Sequence, residues 1–119
     1  MSLPNVYQTL RANSTVVSTV GARIYRHGSA PQDVEKPYIT WFLVSGNPYD
    51  NVSTSPCGDS DTIQIDCWAE TDNNIETLAY AVRSALDSAM ISNRIIINTR
   101  ETDTKLYRIA LEADFIRSR

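Results

Sequence analysis

The clearest pattern of apolar and polar positions lies in residues 74–90. Apolar side chains recur there three or four residues apart: Ile75, Leu78, Ala79, Val82, Ala85, Leu86, Ala89 and Met90. This spacing is typical of an amphipathic helix with one buried face. Thr71 or Asp72 can cap its start, and a capping box of Asn73 with Glu76 is a third candidate. We therefore predict a helix from about residue 74 to residue 90.

The N-terminal segment has a weaker helical pattern. Its apolar residues at helical spacing are Leu3, Val6, Tyr7 and Leu10. They predict a helix of about three turns that ends near Asn13. A further helical turn over 15–20 would stop at Gly21, and Ile24 with Tyr25 would then form a short strand.

Four later segments have the character of strands. Residues 38–44 are apolar on both faces, whereas residues 62–68 alternate in the manner of a half-buried strand. Residues 95–99 are rich in β-branched side chains, and residues 106–116 alternate again. The element order predicts an α+β fold: an antiparallel sheet, mixed at most, of about four to five strands with two helices packed on one face.

A long connection separates the first two of these strands. Residues 45–61 are turn formers throughout, and the predicted loop is longer than most connections. Long loops in small domains often serve a function, and this one carries the apolar residues Tyr49 and Val52 among polar ones. We expect residues 1–119 to form one domain, with Tyr49, Asp50, Asn51 and Val52 in the hairpin loop as candidates for partner binding. The alternative is a hairpin tip without a function.

Composition and charge narrow the class of protein. The chain is 42% hydrophobic and 21% charged, which is ordinary for a globular domain. Its net charge of -3 provides no broad positive field for wrapping a nucleic acid. No segment has the apolar length of a membrane span, and the N-terminus lacks the pattern of a signal peptide. We expect a protein of the cytosol that does not contact a membrane.

Candidate chemistry is sparse. His27 is the only histidine, and no GxSxG elbow is present. Cys57 and Cys67 have no metal-ligand spacing. Asp66 and Glu70 lack the calcium-loop pattern, so a solvated or ion-paired face is the more ordinary interpretation. The sequence predicts no catalytic residue, no metal site and no cofactor.

Short motifs follow one another in a recognisable order. They comprise Gly21, Arg23, Ile24 and Tyr25; Ala30, Pro31 and Gln32; Pro37 and Tyr38; Gln64, Ile65, Asp66, Trp68 and Ala69; and Ala81, Val82, Arg83, Ala85 and Leu86. In this order and spacing the chain resembles the tail completion proteins of long-tailed bacteriophages. The last two predicted strands agree with that family in type and spacing rather than in letters.

The resemblance implies a structural virion protein and not an enzyme. Such a protein is expected to form a hexameric ring of identical subunits that caps the tail tube at its head-proximal end. Its implied partners are other copies of itself, the major tail tube protein and the head-side connector or head-completion protein. DNA would pass through the channel without specific binding. The implied location is the head-tail junction of the virion, after assembly in the host cytoplasm.

Two alternatives remain open. A head-completion (neck) protein that stays on the capsid would have a similar sequence pattern. A small bacterial binding module is a different class, and the missing chemical motifs argue against it.

Candidate subunit contacts follow from the apolar strand and from the arginines. A strand that is apolar on both faces can present one face to a neighbouring subunit, and arginine suits ion pairs at interfaces. The predicted interface residues are Arg23, Ile39, Trp41, Leu43 and Arg83. The alternatives are a strand buried on both sides within one domain, and arginines whose stems pack on the sheet of their own subunit.

Overall fold

Three helices and five strands follow one another in the part of the chain that the structure describes. A computed structural model describes residues 4–49 and 58–118. The elements in order are α1 (Val6–Arg11), α2 (Ser14–Val20), β1 (Ile24–Arg26), β2 (Tyr38–Tyr49), β3 (Gly58–Ala69), α3 (Asp72–Ser88), β4 (Ser92–Arg100) and β5 (Tyr107–Ser118). The segment 15–20, predicted as one extra helical turn, is thus part of a helix of its own. That helix ends at Gly21, whose φ of +59° is a backbone region that favours glycine.

The five strands form one mixed sheet in the order β1-β2-β3-β5-β4. Strand β1 pairs with β2 in parallel, and all other neighbours are antiparallel. This confirms the predicted α+β class and the mixed sheet of five strands.

The helices cover one face of the sheet and enclose the core there. Strands β2, β3 and β5 contribute alternate residues to it, among them Ile39, Ile65 and Leu111, which are fully buried. Helix α3 contributes its predicted apolar stripe from Ile75 to Leu86, and α1 and α2 add Val6, Leu10, Val16 and Val20. The assignment of Ala89 and Met90 to this stripe was wrong, because both follow the helix end at Ser88 and are exposed, Met90 by 92%. Each fully buried aliphatic side chain stabilises the fold by about 1.5–3 kcal/mol. Helix packing on this single face leaves the opposite face without a helix layer.

The hairpin between β2 and β3 differs from the prediction. Ser45 pairs with Thr62, and pairing continues outward to Tyr49 and Gly58, so the predicted loop 45–61 was wrong in its bounds. Two features explain how turn-forming residues remain in a strand. Strand β5 pairs with β3 along its whole length and holds it extended, and β1 pairs with β2 only up to Trp41. Among the described residues, the outer edge of β2 is unpaired at Pro48. Proline, which has no backbone N–H to donate, is tolerated at such an edge.

The N-cap of α3 agrees with one of the three predicted candidates and excludes the capping box. Thr71 is the N-cap, and its side chain accepts a hydrogen bond from the Asn74 backbone N–H at 3.2 Å. Asn73 lies inside the first turn, so the capping box of Asn73 with Glu76 was wrong. The reason is that Thr71 has the extended backbone that an N-cap needs, with φ of -125° and ψ of 153°.

Removing this cap should have a measurable cost. We expect Thr71→Ala to lower the free energy of unfolding by about 1 kcal/mol, because one N–H at the helix start loses its acceptor. Asn73→Ala is the matched control and should change the free energy of unfolding by less than about 0.5 kcal/mol. Urea denaturation followed by circular dichroism measures both. Equal losses for the two variants would contradict the assignment of Thr71 as the cap.

Candidate functional site

The apolar residues of β2 divide between the two faces of the sheet. Ile39 is fully buried, Trp41 is 9% exposed, and Leu43 packs partly buried against the same core. These three predicted interface residues therefore face the helices of their own subunit. Phe42 and Val44 lie on the open face, and Val44 is 46% exposed. Burial thus supports the alternative interpretation of Ile39 and Trp41, because their side chains are already enclosed.

Arg23 joins two elements of its own subunit. It donates from Nε to the Pro37 carbonyl at 3.0 Å and from Nη2 to the Thr19 carbonyl at 3.1 Å. Its Nη1 lies 3.7 Å from a carboxylate oxygen of Glu35, whose side chain is 79% exposed. Such an exposed ion pair adds little stability, whereas the two carbonyl contacts tie the end of α2 to the start of β2.

Arg83 has a similar internal role between α3 and β4. Its Nε donates to Asn93 Oδ1 at 3.1 Å. Asn93 in turn donates to the Asp87 carboxylate at 2.8 Å and to the Ile91 carbonyl at 2.9 Å. The arginine therefore helps to hold the turn that leads from α3 into β4. Its assignment to a subunit interface, like that of Arg23, stays a prediction.

Of the predicted partner-binding residues, the structure describes Tyr49. Tyr49 is the last residue of β2 and pairs with Gly58 of β3. Asp50, Asn51 and Val52 lie outside the described residues. The structure thus places Tyr49 at the far end of two paired strands, and its role in partner binding stays a prediction.

The open face of the sheet is covered by its own side chains. The Tyr38 and Trp68 rings stack with centroids 6.0 Å apart and 12° between planes, and the Arg108 guanidinium lies 5.2 Å from the Trp68 ring centroid. These three residues occupy one cross-strand row of β2, β3 and β5. Trp68 also donates from Nε1 to Thr40 Oγ1 at 3.1 Å.

A buried carboxylate lies beneath this row. Asp66 is 3% exposed and accepts from Arg108 Nη2 at 3.2 Å and from Gln64 at 3.0 Å. The other Arg108 amino group donates to Glu101 at 3.2 Å. We refer to Tyr38, Thr40, Gln64, Asp66, Trp68, Glu101 and Arg108 as the polar layer. The predicted ion-paired face is confirmed at Asp66, and the polar layer closes this part of the face.

Charged pairs continue along the same face. Arg94 of β4 makes an ion pair with Glu112 and approaches Asp114 at 3.9 Å. Thr62 donates to the other oxygen of Asp114 at 2.9 Å. This part of the face is therefore hydrophilic and internally paired.

The candidate chemical groups form no reactive arrangement. Within residues 4–49 and 58–118, no group of three or more His, Cys, Asp or Glu residues could hold a metal ion. Cys67 is fully buried, and burial raises the pKa of its thiol, which the nearby Asp66 carboxylate raises further. A thiol of this kind is inert at neutral pH. His27 is exposed, with its ring 5.2 Å from that of Phe42, and Cys57 lies outside the described residues.

A groove between α3 and β4 is a feature that the sequence analysis missed. Its volume is about 290 Å³. Ile75, Ala79 and Ile95 line its apolar part, and the acidic residues Asp72 and Glu76 also line it. Tyr80 borders the groove with a side chain that is 59% exposed. One sequence signal existed: a large aromatic residue next to the apolar stripe of α3.

Comparison with known proteins decides the family. The model of the family described as "Tail completion protein gp17" matches residues 4–116. The chain belongs to this tail completion family. The match spans α1 to β5, so the predicted resemblance is confirmed over nearly the whole chain. No curated protein matches the chain.

A solved structure supports the fold of this tail completion protein. The chain is similar to one in the "Virion of native gene transfer agent (GTA) particle", with a TM-score of 0.65 and 20% identity. The similarity covers 94% of this chain and 92% of that chain. At this identity it shows a shared fold. Membership of the family gives the chain a structural role in the tail of a phage-like virion, without enzymatic activity. None of the described helices is long and apolar enough to cross a membrane.

Proposed function

We propose that this tail completion protein caps the head-proximal end of the tail tube as a hexameric ring and joins the tail to the head-side connector. The observation that carries the proposal is the sheet itself, which is open at both sides. Among the described residues, β4 has a neighbour only in β5, and β2 has no outer neighbour beyond Trp41. Two different open sides favour a head-to-tail contact between copies, and such a contact closes into a ring when the rotation allows.

The hairpin end is the proposed site of contact with other virion proteins. Beyond Ser92 of β4 the sheet narrows to β2, β3 and β5, which continue to Tyr49, Gly58 and Ser118. The tip of this three-stranded arm is Tyr49, and the predicted binding residues 50–52 follow it in the sequence. We assign the contact with the major tail tube protein or the connector to this tip. DNA would pass through the ring without specific binding, in line with the net charge of -3 and the internally paired arginines of the open face.

The proposed location at the head-tail junction, after assembly in the host cytoplasm, can be tested with particles made without this protein. A cap stops the tube from growing, so its loss should produce overlong tails without heads, seen by negative-stain microscopy. Tails of normal length that fail to join heads would instead favour a neck protein on the capsid. Tails of normal length that join heads normally would refute both roles.

A shortened hairpin tests the tip separately. Replacing residues 50–57 with Asn-Gly keeps the Tyr49–Gly58 pair and supplies a two-residue turn. We expect the variant to fold with an unchanged circular dichroism spectrum but to leave heads and tails unjoined. A wild-type yield of infectious particles would show that the tip takes no part in joining.

A further inference from the structure

We propose that the groove between α3 and β4 receives the β1 side of a second copy, with Arg26 of that copy beside Glu76. The inference rests on the proposed ring, for which it names the contacting surfaces. Ile75, Ala79 and Ile95 give the groove an apolar part, and Ile95 is 38% exposed. A partly exposed apolar groove beside an open strand edge is a typical place for another chain to bind.

No described residue neutralises the acidic side of the groove. Asp72 and Glu76 are both exposed and have no ion pair with any described residue. The nearest cation along β4 on this face is Arg100, whose guanidinium lies 5.6 Å from the Tyr107 ring centroid. The groove therefore has unpaired negative charge beside an apolar surface, which suits a partner with a basic and partly apolar surface.

The opposite side of the same subunit has a basic surface. The first 32 residues contain three arginines and no acidic residue. Arg23 is bound to carbonyl groups of its own subunit, whereas Arg26 is exposed at the end of the edge strand β1 and has no ion pair within the described residues. Arg11 is exposed too and contacts the Tyr7 side chain. Asp33 and Glu35 follow in the loop after β1, so the excess positive charge is local to β1 and α1.

The two surfaces lie on opposite sides of the molecule. Strands β1 and β4 are the two ends of the sheet order. Ala85 and Ser88 of α3 lie beside Ala12 and Asn13 at the α1–α2 junction, on the flank of α3 away from the groove. A contact between such surfaces joins subunits head to tail and leaves a free groove and a free β1 side at the two ends of each chain of copies.

A charge-reversal cycle tests the pair. We expect Glu76→Arg and Arg26→Glu each to weaken self-association about tenfold or more, measured by sedimentation velocity over a concentration series, because each places like charges together. The combined variant restores opposite charges, and its association should return to within about threefold of wild type. Asp103→Arg is the control for Glu76→Arg: it makes the same change in net charge on the β4–β5 turn, at a residue that does not line the groove, and should leave association unchanged.

The outcomes separate this contact from the proposed function. The pairing of these surfaces would be overturned if Glu76→Arg left self-association as unchanged as Asp103→Arg does. It would also be overturned if the double variant associated as weakly as the single variants. A wild-type protein that stays monomeric at every concentration would overturn it as well. Tail length in particles made without the protein is measured independently, so the capping role could survive either result.

Discussion

Replacing Leu78 with alanine is expected to lower the free energy of unfolding by about 2–5 kcal/mol. Leu78 is fully buried in the middle of α3 and belongs to the single core cluster under the helices. Its truncation removes apolar contacts and leaves a cavity that the surrounding strands can fill only in part. Because α3 contacts β3, β4 and β5 as well as the other two helices, the loss falls on the whole domain.

Tyr80→Ala on the same helix is the matched control. Tyr80 is 59% exposed, so its truncation should change the free energy of unfolding by less than about 1 kcal/mol although more atoms are removed. Urea denaturation of both variants gives the comparison. A loss for Leu78→Ala as small as that for Tyr80→Ala would contradict the packing of α3 on the sheet.

Elements with one regularly spaced buried face were predicted well. The 3.6-residue period of 74–90 identified α3, and the alternation in 62–68 identified the inner face of β3, since Ile63, Ile65 and Cys67 are all fully buried. Each pattern arises because one face of a single helix or strand is buried in the core. The family resemblance used the same segments, and for this reason it held over the whole domain.

The ends of the two hairpin strands could not be predicted from the residues of the hairpin itself. Gly46, Asn47 and Pro48 have low strand propensity, and their extended backbone depends on pairing with residues 58–61. Residues 58–61 are in turn held by residues 115–118 of β5. The signal for these strands therefore lies more than fifty residues away, where a local pattern cannot detect it.

The candidate interface residues show the same limit. The alternation of side chains along a strand correctly placed Ile39, Trp41 and Leu43 on one face of β2. It could not show which of the two faces the helices would cover. Arg23 and Arg83 find acceptors that only the fold brings near, the Pro37 carbonyl and the Asn93 side chain. From the sequence alone, an arginine or an apolar strand residue that contacts another subunit cannot be distinguished from one that contacts its own subunit.

The proposed ring uses the sides of the sheet rather than its faces. One face of the sheet is covered by helices, and much of the other is closed by the polar layer and by the Arg94 ion pairs. Unpaired strand edges, the groove and the arm remain. This arrangement favours contacts in the plane of the sheet between copies, with the arm tip left for other virion proteins.

The polar layer depends on Arg108, and Arg108→Met is expected to lower the free energy of unfolding by about 3 kcal/mol. The Asp66 side chain is 4% exposed and the Arg108 side chain 22%, so the carboxylate would lose its counter-charge without gaining water. Methionine keeps much of the stem that packs on Trp68. The expected loss therefore reports mainly the uncompensated charge, and urea denaturation measures it.

Two controls identify the cause. Glu101→Gln removes the negative charge of the other, 36% exposed ion-pair partner of Arg108 and should cost less than about 1 kcal/mol. Asp66→Asn combined with Arg108→Met removes the buried charge and keeps an acceptor for Gln64, so it should recover about half of the loss. If Arg108→Met cost no more than Glu101→Gln, the polar layer would not hold the sheet together. The open face would then be free to bind a partner, and the argument that assembly uses the sides of the sheet would lose its main support.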